Sequence, residues 1–347
     1  MRPDLRRGSR WLRGLALTVI SVLGVVTIIG SGGGSIGGFP PYTGPGAGDP
    51  PVARLTAFVE PPYVTALVGT PVTFTAEVTN VSGTITYQWA RSFDGGTTFV
   101  DIAGATGRAY SLGGVTLGDD SAVFRVRVKA SGIIYSPTAL GHLAVSSTQG
   151  LVFEDGEFLL EDWVASTESK EGAPSVVHSE ERITSGGNPG AFRQMTVQLA
   201  SGTGGGRVFH TRLSAAYDPA TEGPIHVIDF EEDCMLMQSG TTMPLMTSRL
   251  MIEQAGRKYV AAGLRLGETS GVDSCASTTW RRVKRSSFGS RDFTLADGPE
   301  CNVGQSCPDF SATGQPMRFG YRRAPSGAPG VSITHGIDNW KVTVWRE

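Results

Sequence analysis

Gly336-Ile337-Asp338-Asn339-Trp340-Lys341-Val342-Thr343-Val344-Trp345 stands at the C-terminal end of the sequence. From Trp340 onward Trp340, Val342 and Val344 fall on one side, and Lys341, Thr343 and Trp345 on the other. A period of two with bulky apolar residues on one side is the pattern of a strand with one buried face. Such a strand must pair upstream, and Leu151-Val152-Phe153-Glu154-Asp155-Gly156-Glu157-Phe158 is the expected partner. Pairing these two stretches closes a β-sandwich over residues 151–347.

Further strands fill that region: Phe192–Leu199, Arg207–Leu213, Ile225–Phe230, Ser248–Glu253, Lys258–Leu266, Met317–Arg322 and Asp338–Trp345. Glycine-rich loops such as Ser185-Gly186-Gly187-Asn188-Pro189-Gly190 separate them, and amphipathic helix patterns are scarce. Residues 146–150 form a short linker. Before it, from Pro51 to Val145, short alternating strands recur. Val72, Phe74, Ala76 and Val78 share one face. Thr84–Ala90 carries Trp89, and Asp94-Gly95-Gly96 is a turn. Phe124, Val126 and Val128 oppose Arg125, Arg127 and Lys129. Strands this short and evenly spaced predict a second, smaller sandwich over residues 51–146.

The N-terminal residues carry different information. Arg2, Arg6, Arg7, Arg10 and Arg13 precede an uncharged apolar run from Leu15 to Gly30. The pattern is that of an export signal, and the run is short for a membrane-spanning helix. Ile28-Ile29-Gly30-Ser31 has the form of a lipobox with serine in place of the lipidated cysteine, so no lipid anchor is expected. Residues 1–33 are thus a signal peptide or a retained signal anchor. Residues 34–50, rich in Gly and Pro, form a flexible tether. Membrane contact is expected only through the uncleaved signal. A net charge of −2 argues against a nucleic-acid partner.

Cys234, Cys275, Cys301 and Cys307 are the only cysteines. An even number in an exported chain reads as two disulfides, and the short spacing favours Cys301 with Cys307 and Cys234 with Cys275. Zinc is the rival reading, weakened because the spacing contains no Cys-x-x-Cys unit.

The segment 51–146 resembles the immunoglobulin-like modules of bacterial surface proteins. Gly69-x-x-Val72-x-Phe74-x-Ala76 is similar to strand B, and Trp89 stands where the core tryptophan of strand C belongs. Asp120-Ser121-Ala122-Val123-Phe124-Arg125-Val126 resembles the run at strand F. Ala76 and Val126 replace the two disulfide cysteines, and Phe124 replaces the corner tyrosine. The region 151–347 resembles jelly-roll sandwiches of the laminin-domain and carbohydrate-binding-module type. The likeness lies in Phe153-Glu154-Asp155-Gly156, the Gly-Gly-Asn-Pro-Gly turn and Gly336-Ile337-Asp338-Asn339-Trp340. It implies a structural calcium held by Glu154, Asp155 and Asp338, which paired end strands would bring together. The other reading of these acids is ordinary turn chemistry.

Catalytic constellations are weak. His226-Val227-Ile228-Asp229-Phe230-Glu231-Glu232-Asp233 tests as a glycosidase strand, but Val227 occupies the nucleophile position, and the other reading is a strand end with solvated acids. No Gly-x-Ser-x-Gly elbow and no phosphate-cradling loop is present. Arg281-Arg282-Val283-Lys284-Arg285 is a candidate for an acidic ligand or a solvated strand face. Trp163, Trp280 and Trp345 are candidate sugar platforms or core residues. The expectation is an all-β, exported, non-enzymatic cell-envelope protein that binds carbohydrate or another surface protein. The rival expectations are a structural envelope component without a small ligand and a glycan-active enzyme.

Overall fold

The computed structural model describes residues 55–80, 83–131, 137–167, 176–199, 204–238, 245–269, 273–296, 301, 307–327, 330 and 332–347. The expected signal segment and tether lie outside these residues. Among the described residues no helix is long and apolar enough to cross a membrane. The fold is all-β. Ala53–Glu347 forms one compact unit containing two sandwiches, each with its own core.

The first sandwich comprises β1 (Thr56–Glu60), β2 (Tyr63–Leu67), β3 (Val72–Thr79), β4 (Ile85–Ser92), β5 (Val100–Asp101), β6 (Ala109–Leu112), β7 (Val123–Ala130) and β8 (Thr138–Ser146). One sheet runs β1-β3-β6, the other β2-β8-β7-β4-β5. All pairs are antiparallel except β2 with β8, which run parallel. This is an immunoglobulin-like arrangement, in which the first strand divides between the two sheets. The alternation seen in the sequence explains it: Val72, Phe74 and Ala76 on β3 and Phe124, Val126 and Val128 on β7 all point inward. Trp89 is fully buried with Ala76 and Val126, and its Nε1 donates to the Gly107 carbonyl at 3.0 Å. The indole therefore packs with the aliphatic side chains of Ala76 and Val126, which stand where the modules this segment resembles place a disulfide.

The second sandwich contains β9 (Leu151–Asp155), β10 (Trp163–Thr167), β11 (Val176–Gly187), β12 (Gly190–Leu199), β13 (Gly204–Gly205), β14 (Val208–Tyr217) and β15 (Ile225–Gln238). It continues through β16 (Leu245–Gln254), β17 (Arg257–Ala261), β18 (Arg281–Phe288), β19 (Phe293–Leu295), β20 (Met317–Gly327) and β21 (Ser332–Arg346). One sheet has the order β11-β12-β21-β15-β18 with β9 also on β21; the other runs β10-β14-β20-β16-β17-β19 with β13 on β20.

The closing strand does pair with the opening one, Trp340 opposite Asp155 and Val344 opposite Leu151. It is also longer than the sequence suggested and lies inside its sheet. One edge of β21 carries β9 along 340–344 and β12 along 332–337, and the other carries β15. Trp340, Val342 and Val344 are fully buried among residues of both sheets, including Trp163, Tyr217, Phe230, Leu250 and Phe319. Other expected boundaries also shift. Strands β15 and β20 run past Phe230 and Arg322, while β17 stops at Ala261, short of Leu266. The glycine-rich stretch at 185–190 is the β11–β12 hairpin turn, with Gly190 at φ +91°. A Cβ on Gly187 would lie 2.6 Å from the Asp338 carboxylate, so only glycine fits there.

Candidate functional site

Strand pairing brings Asp155 and Asp338 into one neighbourhood. Asp155 ends β9: its Oδ1 accepts from the backbone N–H groups of Glu157 (2.8 Å) and Phe158 (2.9 Å). Its Oδ2 accepts from Trp163 Nε1 at 2.8 Å, with Arg212 Nε at 3.7 Å. Glu154 is exposed, because successive strand residues point to opposite faces. Asp338 is fully buried, accepting from the backbone N–H groups of Asn339 (2.7 Å) and Asn188. Burial pushes its carboxyl above the usual range; the two N–H donors oppose this, and the nearby Asp233 and Asp155 charges add to it.

Asp233, cross-strand partner of Asp338, and its neighbour Glu232 are buried inside a strand that runs on to Gln238, which corrects their reading as solvated acids at a strand end. Asp233 Oδ2 accepts from the side-chain amides of Asn188 (3.1 Å) and Asn339 (2.8 Å), and its Oδ1 faces Arg282 Nε at 3.4 Å. The readable signal was the Gly-Gly-Asn-Pro-Gly turn, whose asparagine reaches both Asp233 and Asp338. Among the described residues, three ligand-type atoms converge only at Glu232, Cys234 and Cys275, where the atoms lie within 4.8 Å of one another. Glu154, Asp155 and Asp338 form no such set. Glu154 is exposed, while the oxygens of Asp155 and Asp338 accept N–H donors. What they do is terminate strands and hold the hairpin turn.

Both disulfides are present. Cys234 is bonded to Cys275 with Cα atoms 5.6 Å apart, and Cys301 to Cys307 with Cα atoms 5.1 Å apart. No free cysteine remains, which removes the thiolates that zinc would need. Two disulfides fit an oxidising, extracellular environment.

The tested glycosidase strand serves a joint. Asp229 on β15 accepts from Thr65 Oγ1 at 2.7 Å, the Ser287 backbone N–H at 2.8 Å and Trp345 Nε1 at 3.1 Å. Thr65 belongs to the first sandwich, so Asp229 ties the two together. Around it the Tyr63 ring stacks on His142 at 4.5 Å, and the Arg265 guanidinium lies 3.7 Å over Tyr63. Arg265 and Arg285 both pair with Glu268, at 2.9 and 2.6 Å. His226 Nε2 meets Asp120 Oδ1 at 2.9 Å, and Ser146 Oγ donates to the Arg346 carbonyl at 3.0 Å. The hydrogen bond that His226 donates to the Asp120 carboxylate, against burial, holds its imidazole above its ordinary pKa. Burial, with the Arg265 charge, pushes His142 down to about 4.

The basic stretch Arg281–Arg285 is part of β18. Val283 and Arg285 point inward, and the outward Arg282 and Lys284 face acids of β15, Lys284 Nζ lying 3.3 Å from Glu231. It is a paired strand face. Trp163 is core. Trp280 is half-buried edge-on against Phe192 at 5.4 Å, and Trp345 is half-buried with its indole N–H on Asp229. A separate groove of about 440 Å³ is lined by Glu154, Glu231, Arg282 and Lys341, with neither Trp280 nor Trp345 in its lining.

No protein-family model matches the chain, and no curated protein matches it. Solved structures that match include the N-terminal four immunoglobulin domains of Dscam1 isoform 6.9, 21% identical over 26% of this chain and 20% of that one, with a TM-score of 0.22. Isoform 4.44 of the same protein gives 22% identity over 27% of this chain and 21% of that one, again at a TM-score of 0.22. The chain spans about a fifth of the length of those structures. The immunoglobulin-like assignment rests on the strand pairing and the Trp89 core described above.

Proposed function

We propose that the chain is an exported bacterial cell-envelope protein with a non-enzymatic binding or adhesion role. The observation that carries this reading is the joint between the sandwiches. Asp229, a buried acid of the candidate glycosidase strand, holds Thr65, Ser287 and Trp345 in place. A fixed pair of sandwiches behind a Gly/Pro-rich tether suits a module that displays a surface at a distance from the cell. The jelly-roll likeness and the charged groove beside β9 and β21 favour carbohydrate or another surface protein as partner.

The test has two arms on the full chain. Protease treatment of intact cells should cleave the protein if it is displayed outside. A glycan array should return carbohydrate ligands, with weaker binding for Lys341→Glu in the groove. Absence of any glycan or cell-surface partner would leave a structural envelope component. Release of new reducing ends from a polysaccharide would establish an enzyme instead.

A further inference from the structure

Inside the second sandwich, six positions that strand alternation points inward hold polar side chains. Arg193 lies between Ala191 and Met195 on β12, Glu232 between Phe230 and Cys234 on β15, and His335 between Ile333 and Ile337 on β21. In the facing sheet His210 follows Val208 on β14, and Tyr321 and Arg323 extend the inward row Met317, Phe319 of β20. All six are at most 2% exposed. They form a connected seam. The Tyr321 ring stacks on His210 at 4.5 Å, and Arg323 sits 4.9 Å from the Tyr321 ring while its Nη1 donates to Glu232 Oε1 at 2.7 Å. Arg193 sits 5.8 Å over Trp163, whose ring is 5.4 Å from Tyr321.

The protein's own hydrogen bonds leave this seam unanswered. Nε and Nη1 of Arg193, Nε and Nη2 of Arg323, the Tyr321 hydroxyl, and both ring nitrogens of His210 and His335 have no partner among the described residues. Among the described residues, Glu232 Oε2, with the buried Ser248 hydroxyl beside that carboxylate, is the one unpartnered carboxylate oxygen facing them. Burial with the Arg193 and Arg323 charges keeps the His210 imidazole neutral, and burial with the Arg323 charge does the same for His335, so each ring supplies one N–H and one acceptor nitrogen. Donors therefore outnumber acceptors. Charge is unbalanced in the same sense: Glu232 answers Arg323, while Arg193 forms no ion pair among the described residues. A buried unpaired cation and orphaned donors each cost several kcal/mol in the order-of-magnitude sense unless a complementary group is present.

We infer that this interior seats one small oxyanion, a carboxylate or inorganic phosphate, between Arg193 and Arg323, with the Tyr321 hydroxyl as a further donor. An acceptor-only species answers an excess of donors, and its charge answers Arg193. The Nε–Nη2 edge of Arg323 is free for the two parallel hydrogen bonds that match a carboxylate or phosphate edge, while Nη1 stays on Glu232. The inference is independent of the proposed binding role, since the seam is interior and the groove is on the outer face.

The full chain is titrated at constant ionic strength with inorganic phosphate and, separately, with acetate, by calorimetry and thermal melting. One saturable site for either probe is expected, and the responding probe distinguishes phosphate from carboxylate. Arg193→Met should weaken it by roughly tenfold or more, while Arg127→Gln, on the outer face of the first sandwich, should bind as the wild type does. Should Arg193→Met fail to fold, Tyr321→Phe, which removes only the hydroxyl, should lower affinity several-fold. Absence of saturable binding by both probes overturns the inference. So does equal binding by wild type and Arg193→Met (or Tyr321→Phe), or a crystal structure with only water molecules in the seam.

Discussion

The two sandwiches solve the same packing problem in opposite ways. The immunoglobulin-like one fills its interior with a single apolar cluster built around Trp89, Phe74 and Phe124, with no disulfide. The larger one buries Arg193, Glu232, Arg323, His210 and His335, and keeps a disulfide in its interior. Its apolar residues divide accordingly into one main cluster and smaller ones around Cys234–Cys275 and Met195–Val208. A hydrophobic interior is stabilised by area removed from water, which is tolerant of detail. A charged interior is stable only where each group finds its partner, which is not. Disturbing each should therefore fail in its own way.

The largest effect is expected at Trp89. Trp89→Ala should cost about 3–5 kcal/mol, since it empties the largest side chain of the smaller core. Chemical denaturation of the full chain, read by near-UV signal, measures it; a loss under about 1 kcal/mol would mean that the core does not rest on that ring. Next comes the disulfide of the larger sandwich. Replacing Cys234 and Cys275 together by serine opens a loop with a sequence separation of 41 and should cost about 2–4 kcal/mol. The smaller sandwich, which has no cysteine, should keep its stability in that variant.

These strengths also explain what could be read from the sequence. In the smaller sandwich β3, β4 and β7 were legible, because β3 and β7 place apolar residues at every inward position, while the shorter strands β1, β2, β5 and β6, and β8, were not read individually. In the larger one the same rule ended strands too soon. Glu232 made β15 seem to stop at Phe230, Arg323 made β20 seem to stop at Arg322, and His335 hid the first half of β21. Inward charges erase the alternation by which a strand is recognised. The end-strand pairing and both disulfides were legible. The turn that carries Asn188 was legible, but its partner Asp233 was not, because an acid 106 residues from Asn339 in the sequence leaves no local pattern. The approach of Asp155 to Asp338 was legible from the pairing of the end strands, while Glu154, its neighbour on β9, is exposed.

Acid sharpens the contrast further. His142, His210 and His335 are held neutral in the fold, so each contributes stability above its unfolded pKa of about 6.5 and loses it as pH falls below that value. The slope should reach about 1.4 kcal/mol per pH unit for each histidine. His210→Phe should flatten the decline between pH 7 and 5 if the wild-type imidazole is neutral; an unchanged slope would contradict that.

His226 runs the other way. Its raised pKa means that its bond to Asp120 is fully present below the unfolded value and fades as pH rises through the folded one. Asp120, held below the carboxylate range by His226 and the Val145 N–H against burial, loses its contribution only in strong acid. Loosening of the joint by His226→Asn should therefore cost about 1 kcal/mol near pH 6 and nothing in alkali. A difference that grows with pH would reverse the assignment. Smallest of all, calcium should leave the melting temperature unchanged, since the oxygens of Asp155 and Asp338 accept hydrogen bonds from N–H donors. A saturable rise would restore an ion to that corner.

The most direct measurement is a double-mutant cycle on the pair that links the two sheets through the charged interior, Glu232 and Arg323, which meet at 2.7 Å. Glu232→Leu alone should destabilise by about 3–5 kcal/mol, because it leaves a buried guanidinium without its carboxylate. Adding Arg323→Met should recover most of that loss, as apolar groups of similar volume replace the pair. Losses that simply add would contradict a charged interior held by mutual pairing, and would place Glu232 and Arg323 among ordinary packing residues.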